Sequence, residues 1–234
     1  MATTNYIDGV TNAAMDSTLY SLTRPDPTTA YEWWDEFMNY TAADWTITET
    51  GTGTRAVAAG GAGGVLVITN GAVDDDFNSL QYSGNTSAAT VETFKFVSGK
   101  RSWGKVRFKV SDATQSDVMI GLVITDTTPI AGVTDGVYFL KSDGSTTLSL
   151  VQTLNSTSTT TTAGTMVSDT YVTAGYHYDG GSVMSVFFND TLVSNAVTTN
   201  LVTDEELAVT LVVQNGEAVA KILSVDYAGF WQER

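Results

Sequence analysis

Few residues in this chain have the types and spacing that chemistry requires. Retaining glycoside hydrolysis needs two carboxylates about 5 Å apart. One strand supplies such a set when the sequence runs Glu-x-Asp-x-x-Glu, whose first two carboxylates share a face because alternate side chains do. No segment has that spacing. The nearest acidic groups are Glu32/Asp35/Glu36 and Asp204/Glu205/Glu206. Successive carboxylates in each set fall on different sides of a strand, which fits a solvated face better than an acid/base pair. His177, the one histidine, sits within Tyr176-His177-Tyr178 and has no Gly-x-Ser-x-Gly elbow to accompany it. A structural or surface role is expected for it.

Phosphate chemistry is no better served. Ala59 to Gly64 is glycine-rich but lacks the Lys-Ser/Thr that follows a phosphate-cradling loop, and Gly99-Lys100 is followed by Arg101. The glycines read as a turn before the Val65 strand. Asp74, Asp75 and Asp76 with Asn78 offer the hard oxygen ligands calcium takes, outside any EF-hand pattern. An acidic solvated loop is the favoured reading, so neither a metal nor a cofactor is expected. With no cysteine, thiolate nucleophiles, thiolate metal sites and disulfides are all excluded. The chain is read as having no catalytic residues and as not being an enzyme.

Binding residues are easier to find. Twenty-six acidic residues against 11 basic ones give a formal charge of -15, which repels nucleic acid and anionic membrane surfaces. Six of the basic residues nonetheless fall between Lys95 and Lys109. If Lys105, Arg107 and Lys109 share the outward face of one strand, they form a basic ridge. Such a ridge either meets an acidic patch on a neighbouring protein or neutralises carboxylates of the same chain. Among the five tryptophans, the adjacent pair Trp33 and Trp34 cannot easily point the same way, so one of them is a candidate to meet a partner or a sugar face.

The elements that position these residues are strands. After Trp45 the chain is a succession of short runs rich in Val, Ile, Thr, Tyr and Phe, separated by glycine and Asn/Asp turns. Expected strands are Gly64–Thr69, Val91–Val97, Trp103–Val110, Val118–Thr125, Gly136–Lys141, Thr146–Gln152, Tyr171–Tyr178, Val183–Asn189, Leu207–Gln214 and Ala218–Trp231. Val106, Phe108 and Val110 alternate with the basic residues, so one face of that strand packs and the other is wet. Val118–Thr125 is apolar on both faces and reads as a central strand. Asp143-Gly144, Asp179-Gly180 and Asn215-Gly216 are expected to close hairpins. Ser156–Thr162 reads as an exposed loop or a polar edge strand, beside a chance glycosylation sequon at Asn155. Ala30–Tyr40 is the best helical candidate.

Met1–Thr29 is polar and aperiodic, and reads as an N-terminal arm ahead of a single domain over 30–234. It has no basic segment leading into an apolar one, so a protein made without a cleaved signal is expected.

The second half resembles concanavalin A-like, laminin-G-like jelly rolls. The likeness rests on the order of Val118–Ile124, Asp135-Gly136-Val137-Tyr138-Phe139, Asp143-Gly144-Ser145, Tyr176-His177-Tyr178-Asp179-Gly180, Val186-Phe187-Phe188-Asn189-Asp190 and the closing Val225–Trp231. It implies an all-β antiparallel sandwich. Such folds serve lectins, carbohydrate-binding modules, laminarinase-like hydrolases and structural proteins of tailed-phage particles, so the fold leaves function open. The polar arm and the low-lysine, Thr/Ser/Ala/Gly-rich composition look most like a virion protein. The expectation is a capsid decoration or head-associated protein on the capsid surface, homo-oligomeric and docking on the major capsid protein through Lys105, Arg107, Lys109, Trp33 and Trp34. A lectin-like module binding a glycan is the alternative.

Overall fold

The computed structural model describes residues 3–5, 11–14, 29–60, 63–84 and 91–234. Two short paired strands, β1 (Thr3–Asn5) and β2 (Thr11–Ala14), lie in the arm; the rest of Met1–Thr28 is outside the described residues.

The strands that follow form two antiparallel sheets. In chain order they begin with β3 (Ala30–Asp35), β4 (Trp45–Thr50), β5 (Thr54–Val57), β6 (Leu66–Thr69) and β7 (Phe77–Tyr82). Next come β8 (Ser102–Val110), β9 (Ser116–Val123), β10 (Gly136–Lys141), β11 (Thr147–Leu154) and β12 (Thr157–Thr165). The last are β13 (Val172–Tyr178), β14 (Val183–Phe188), β15 (Thr191–Val197), β16 (Ala208–Asn215) and β17 (Ile222–Glu233). One sheet has the order β12-β11-β10-β9-β16-β7-β4, the other β15-β14-β13-β8-β17-β6-β5, with β3 paired to the end of β17. The fold is an all-β, jelly-roll sandwich.

Alternation explains β8. Val106, Phe108 and Val110 are buried in the space between the sheets, while Lys105, Arg107 and Lys109 face out. β9 is apolar on both faces for a visible reason. Val118, Ile120 and Leu122 join the main core, and Met119 and Val123 join a second cluster with Tyr138, Val151 and Val212 on the sheet's outer side. The segment around the short 3-10 helix Pro129–Ala131 covers that cluster, with Ile130 and Val133 packed onto it.

Several expectations are corrected. Ala30–Tyr40 is not helical: Ala30–Asp35 is a strand whose aromatic residues alternate across a sheet, and it pairs with β17 from Glu233↔Ala30 to Ala228↔Asp35. Val91–Val97 makes only one isolated bridge, Phe94↔Leu207, since Phe94 and Phe96 are held by core packing rather than by a ladder. Asn215-Gly216 closes no hairpin, because β16 and β17 belong to different sheets. Asn215 is instead fully buried, and its side-chain amide donates to the carbonyls of Gly71 and Val73. Asp143-Gly144 and Asp179-Gly180 do join paired strands. The Ser/Thr run is the polar edge strand β12, entered through Asn155-Ser156 in left-handed backbone. Besides β3 and the two short strands of the arm, β4, β5, β7 and β15 went unanticipated.

Candidate functional site

β3 brings the tryptophan pair into place. Its register puts Trp33 on the core side and Trp34 outside. Trp33 packs against Trp45, Tyr82 and Phe230 at centroid distances of 5.9, 5.5 and 6.3 Å. Trp34 is 40% exposed and lies against Tyr227 at 5.2 Å and Trp231 at 5.3 Å. Gly229, opposite Trp34, makes room for it: a Cβ there would come within 2.2 Å of the Trp34 ring.

After Asp35 the chain turns sharply. Phe37 takes the left-handed region at φ 51° with its ring buried, and its amide donates to Asp35 Oδ1 at 2.6 Å. The carbonyl of Phe37 lies against Gly64, where any side chain would clash. This reversal carries Asn39 to Asp44 back beside β3. The 3-10 turn at Ala42–Asp44 is then fixed, because the Asp44 carbonyl accepts the amides of Ser83 and Gly84 at 2.7 and 3.2 Å.

Between β3, this turn and the start of β4 lies a pocket of about 290 Å³. Trp33, Trp45, Tyr82 and Tyr40 supply aromatic surface, Trp34 borders it, and Glu32, Asp35, Asp44 and Asn39 supply polar groups. No Lys, Arg or His is among its lining residues. Burial, reinforced by the charge of Asp44 and only partly offset by the Phe37 amide, pushes the Asp35 carboxyl above its usual range. The neighbouring Glu36 is also raised, by burial and then by Asp226 and Asp35. Glu32 accepts the indole N–H of Trp231 at 2.8 Å. The Tyr40 hydroxyl is buried with no hydrogen-bond partner among the described residues, and burial raises its pKa.

The basic ridge forms as drawn from the sequence, but its charges are compensated within the chain. Lys105 pairs with Asp190 at 2.6 Å, Arg107 with Asp226, and Lys109 with Asp169 at 3.4 Å. Arg107 also lies over Tyr171, 4.3 Å from the ring centroid. Outside the ridge, Lys95 pairs with Glu206 and Arg101 with Glu233. Thus the structure brings Trp33 and Trp34 to one pocket and holds Lys105, Arg107 and Lys109 apart from it.

The other candidates separate cleanly. His177 stacks on Trp103 at 5.3 Å on the outer face of β13 and β8. In the acidic loop Asp74 and Asp75 are exposed, whereas Asp76 and Asn78 are buried, and Asn78 donates to Asn70 in a polar network that ties β7 to β16. Among the described residues no group of three or more His, Cys, Asp or Glu is arranged to hold a metal ion. No described strand carries two carboxylates two residues apart. On β10 the outward side chains are Tyr138 and Leu140, lying within the covered apolar cluster.

Sequence reasoning had singled out Trp33, Trp34, Glu32 and Asp35 separately. It missed Tyr40, Asp44 and Tyr82 as their companions. The available signal was the density of aromatic and acidic residues over 31–45.

No protein-family profile matches the sequence, and no curated protein is similar to it at a significant level. Solved structures do resemble it. A Shewanella oneidensis MR-1 protein of unknown function, SO2946, is 14% identical, covers 95% of this chain and 96% of its own, and superposes with a TM-score of 0.63. The potassium-bound carbohydrate recognition domain of Emp46p is 10% identical over 84% of this chain and 94% of its own, with a TM-score of 0.55. The GH16 protein of a Bacteroides ovatus mixed linkage glucan PUL is 11% identical over 84% and 98%, with a TM-score of 0.57. At these identities the likeness establishes the jelly-roll β-sandwich fold and nothing finer.

Proposed function

We propose that this chain is a non-catalytic recognition domain that binds a carbohydrate in the pocket at the free side of β3. The observation that carries the reading is the meeting of indole and phenol rings with carboxylates in one small concavity. A sugar has an apolar C–H face that stacks on an aromatic ring and a rim of hydroxyls that donate to carboxylates. A volume of about 290 Å³ lies at the lower end of the range for small-molecule sites, enough for one ring of a longer glycan. The non-catalytic part of the reading is supported by the described strands, none of which presents a carboxylate pair two residues apart.

The reading is tested by probing a glycan array with the purified protein and with Trp34→Ala, which alters the border of the pocket. Retention on a defined set of glycans, weakened by the substitution, supports it. Failure to bind any glycan, equal binding by the variant, or release of sugar from the bound glycan overturns it.

A second reading keeps the sequence-based expectation of a tailed-phage virion protein docking on other capsid subunits. It is favoured by edge strand β15, where Leu192, Val193 and Val197 are about half-exposed on a strand paired on one side only. Exposed apolar edges invite pairing with another chain. Stoichiometric presence in purified particles supports this reading; absence from them excludes it.

A further inference from the structure

We infer that the end of the sandwich where the β4–β5 and β6–β7 loops meet binds a calcium ion, held by the Asp76 carboxylate together with the carbonyl and hydroxyl oxygens of Thr52. The inference is independent of the β3 pocket and of any glycan.

Asp76 is 3% exposed. Its Oδ2 accepts only the amide of Val73, at a long 3.3 Å, and its Oδ1 accepts no hydrogen bond among the described residues. No described lysine or arginine lies within ion-pair distance of it. Asp135, the other acidic residue buried to this degree, takes the Asn155 amide at 2.8 Å. A buried carboxylate short of donors and without a cation carries an uncompensated desolvation cost, and a bound ion supplies the missing charge.

Two glycines keep the surroundings of this carboxylate free of side chain. A Cβ at Gly51 or at Gly71 would overlap its oxygens, and Gly51 is also in left-handed backbone, at φ 79°. The position that a Gly71 Cβ would take lies 3.0 Å from the Thr52 carbonyl oxygen and 3.3 Å from the Thr52 hydroxyl. Neither of those oxygens accepts a hydrogen bond from a described residue. Gly51 and Thr52 are exposed, so an ion can enter from solvent.

These donors are all hard oxygens, and one residue among them is charged. Calcium accepts that mixture of carboxylate, carbonyl, hydroxyl and water in a flexible shell, whereas magnesium demands a tight octahedron and zinc favours nitrogen and sulfur. A single carboxylate predicts a weak site, with Kd on the order of 10⁻⁴ to 10⁻³ M. The acidic run contributes less than its composition suggests, because Asp75 accepts from Gln214 and Asn78 donates to Asn70. The ion would tie the two sheets together: β4 and β7 belong to one, β5 and β6 to the other, and both loops cross between them.

The experiment is thermal denaturation and isothermal titration of the EDTA-treated full chain with CaCl2, MgCl2 and KCl at matched ionic strength. It is repeated on Asp76→Asn and on Asp75→Asn, which alters an exposed neighbour in the same loop. The expected result is saturable calcium binding by the parent, with about 10 mM raising its midpoint by roughly 3 to 6 °C. Asp76→Asn should lose at least about tenfold in affinity and Asp75→Asn little. In EDTA, Asp76→Asn should melt no lower than the parent, since it removes an uncompensated charge.

A parent midpoint that ignores calcium overturns the inference. An equal shift from magnesium or potassium assigns the effect to screening and overturns it too. Calcium binding that Asp76→Asn retains, or that Asp75→Asn loses equally, belongs to the exposed acidic surface, with the same consequence. Should Asp76→Asn fail to fold, Thr52→Ala removes one ligand at an exposed position, and an unchanged calcium affinity in that variant counts against the site.

Discussion

Trp33 and Trp34 are chain neighbours with opposite fates: Trp33 meets Trp45 edge-on at 5.9 Å inside the sandwich, and Trp34 lies flat on Tyr227 at 5.2 Å outside it. One residue therefore reports on the core and the next on the outer face. Trp33→Ala removes a large ring from the core side and should cost roughly 3 kcal/mol in chemical denaturation. Trp34→Ala exposes parts of Tyr227 and Trp231 but opens no buried cavity, so about 1 kcal/mol or less is expected. Similar losses for the two would mean that the outer stack is as structural as the inner one.

Burial gives the Asp35 carboxyl a folding cost at neutral pH. Its pKa is raised, first by burial, so the charged form is less stable in the folded chain than in the unfolded one. The penalty is full above the folded-state pKa and disappears as pH falls through the ordinary aspartate range near ~4. Asp35→Asn keeps an oxygen for the Phe37 amide and removes the charge. The variant should therefore have a higher denaturation midpoint at pH 7, with the gain vanishing near pH ~3.5. A lower midpoint at pH 7 would show that the carboxylate stabilises the turn through something other than that amide.

Asp112 behaves in the opposite sense. Amide donation from Gln115, with further help from Thr114 and Lys221, holds its carboxyl down to about 2. A depressed acid contributes stability above its unfolded value, and that stability is lost as pH falls through the folded one. Denaturation midpoints measured between pH ~4 and ~2 should decline in the parent and decline less in Asp112→Asn. The turn at Asp112 also anchors Lys221, which is 2% exposed and pairs with both Asp112 and Glu217. Parallel declines in parent and variant would move the acid sensitivity elsewhere.

How far the sequence could be read follows from what each residue type reports. Alternation in Trp103–Val110 and two-sided apolarity in Val118–Thr125 announce their strands, because each pattern is a direct record of which faces are covered. Ala30–Tyr40 misled for a physical reason: clustered aromatics satisfy a helical spacing by chance, and the long-range partner that makes β3 a strand lies some 200 residues away in β17. Asn215-Gly216 misled because a turn-forming pair does not say whether the next strand stays in the same sheet. The pocket was legible only as parts. Trp33, Trp34 and Asp35 stand together in sequence, but Tyr82 joins them through β4–β7 pairing, which no local pattern encodes.

The ridge on β8 offers the clearest division between an internal and an external role. Arg107 is gripped by Asp226 and lies on Tyr171, and Asp226 is only 17% exposed at its side chain. Charge reversal at Arg107→Glu would place two carboxylates face to face. Such a change at a partly exposed pair costs on the order of 1 kcal/mol, more than loss of a free surface charge. If the pair is mainly internal, adding Asp226→Arg to Arg107→Glu should restore most of that loss, since the swapped charges attract again. If the ridge also steers docking on an acidic protein surface, the swapped variant should be as stable as the parent yet attach to particles more weakly at low salt, because the outermost charge has changed sign. Rescue of stability together with unchanged attachment would confine Lys105, Arg107 and Lys109 to holding this domain together.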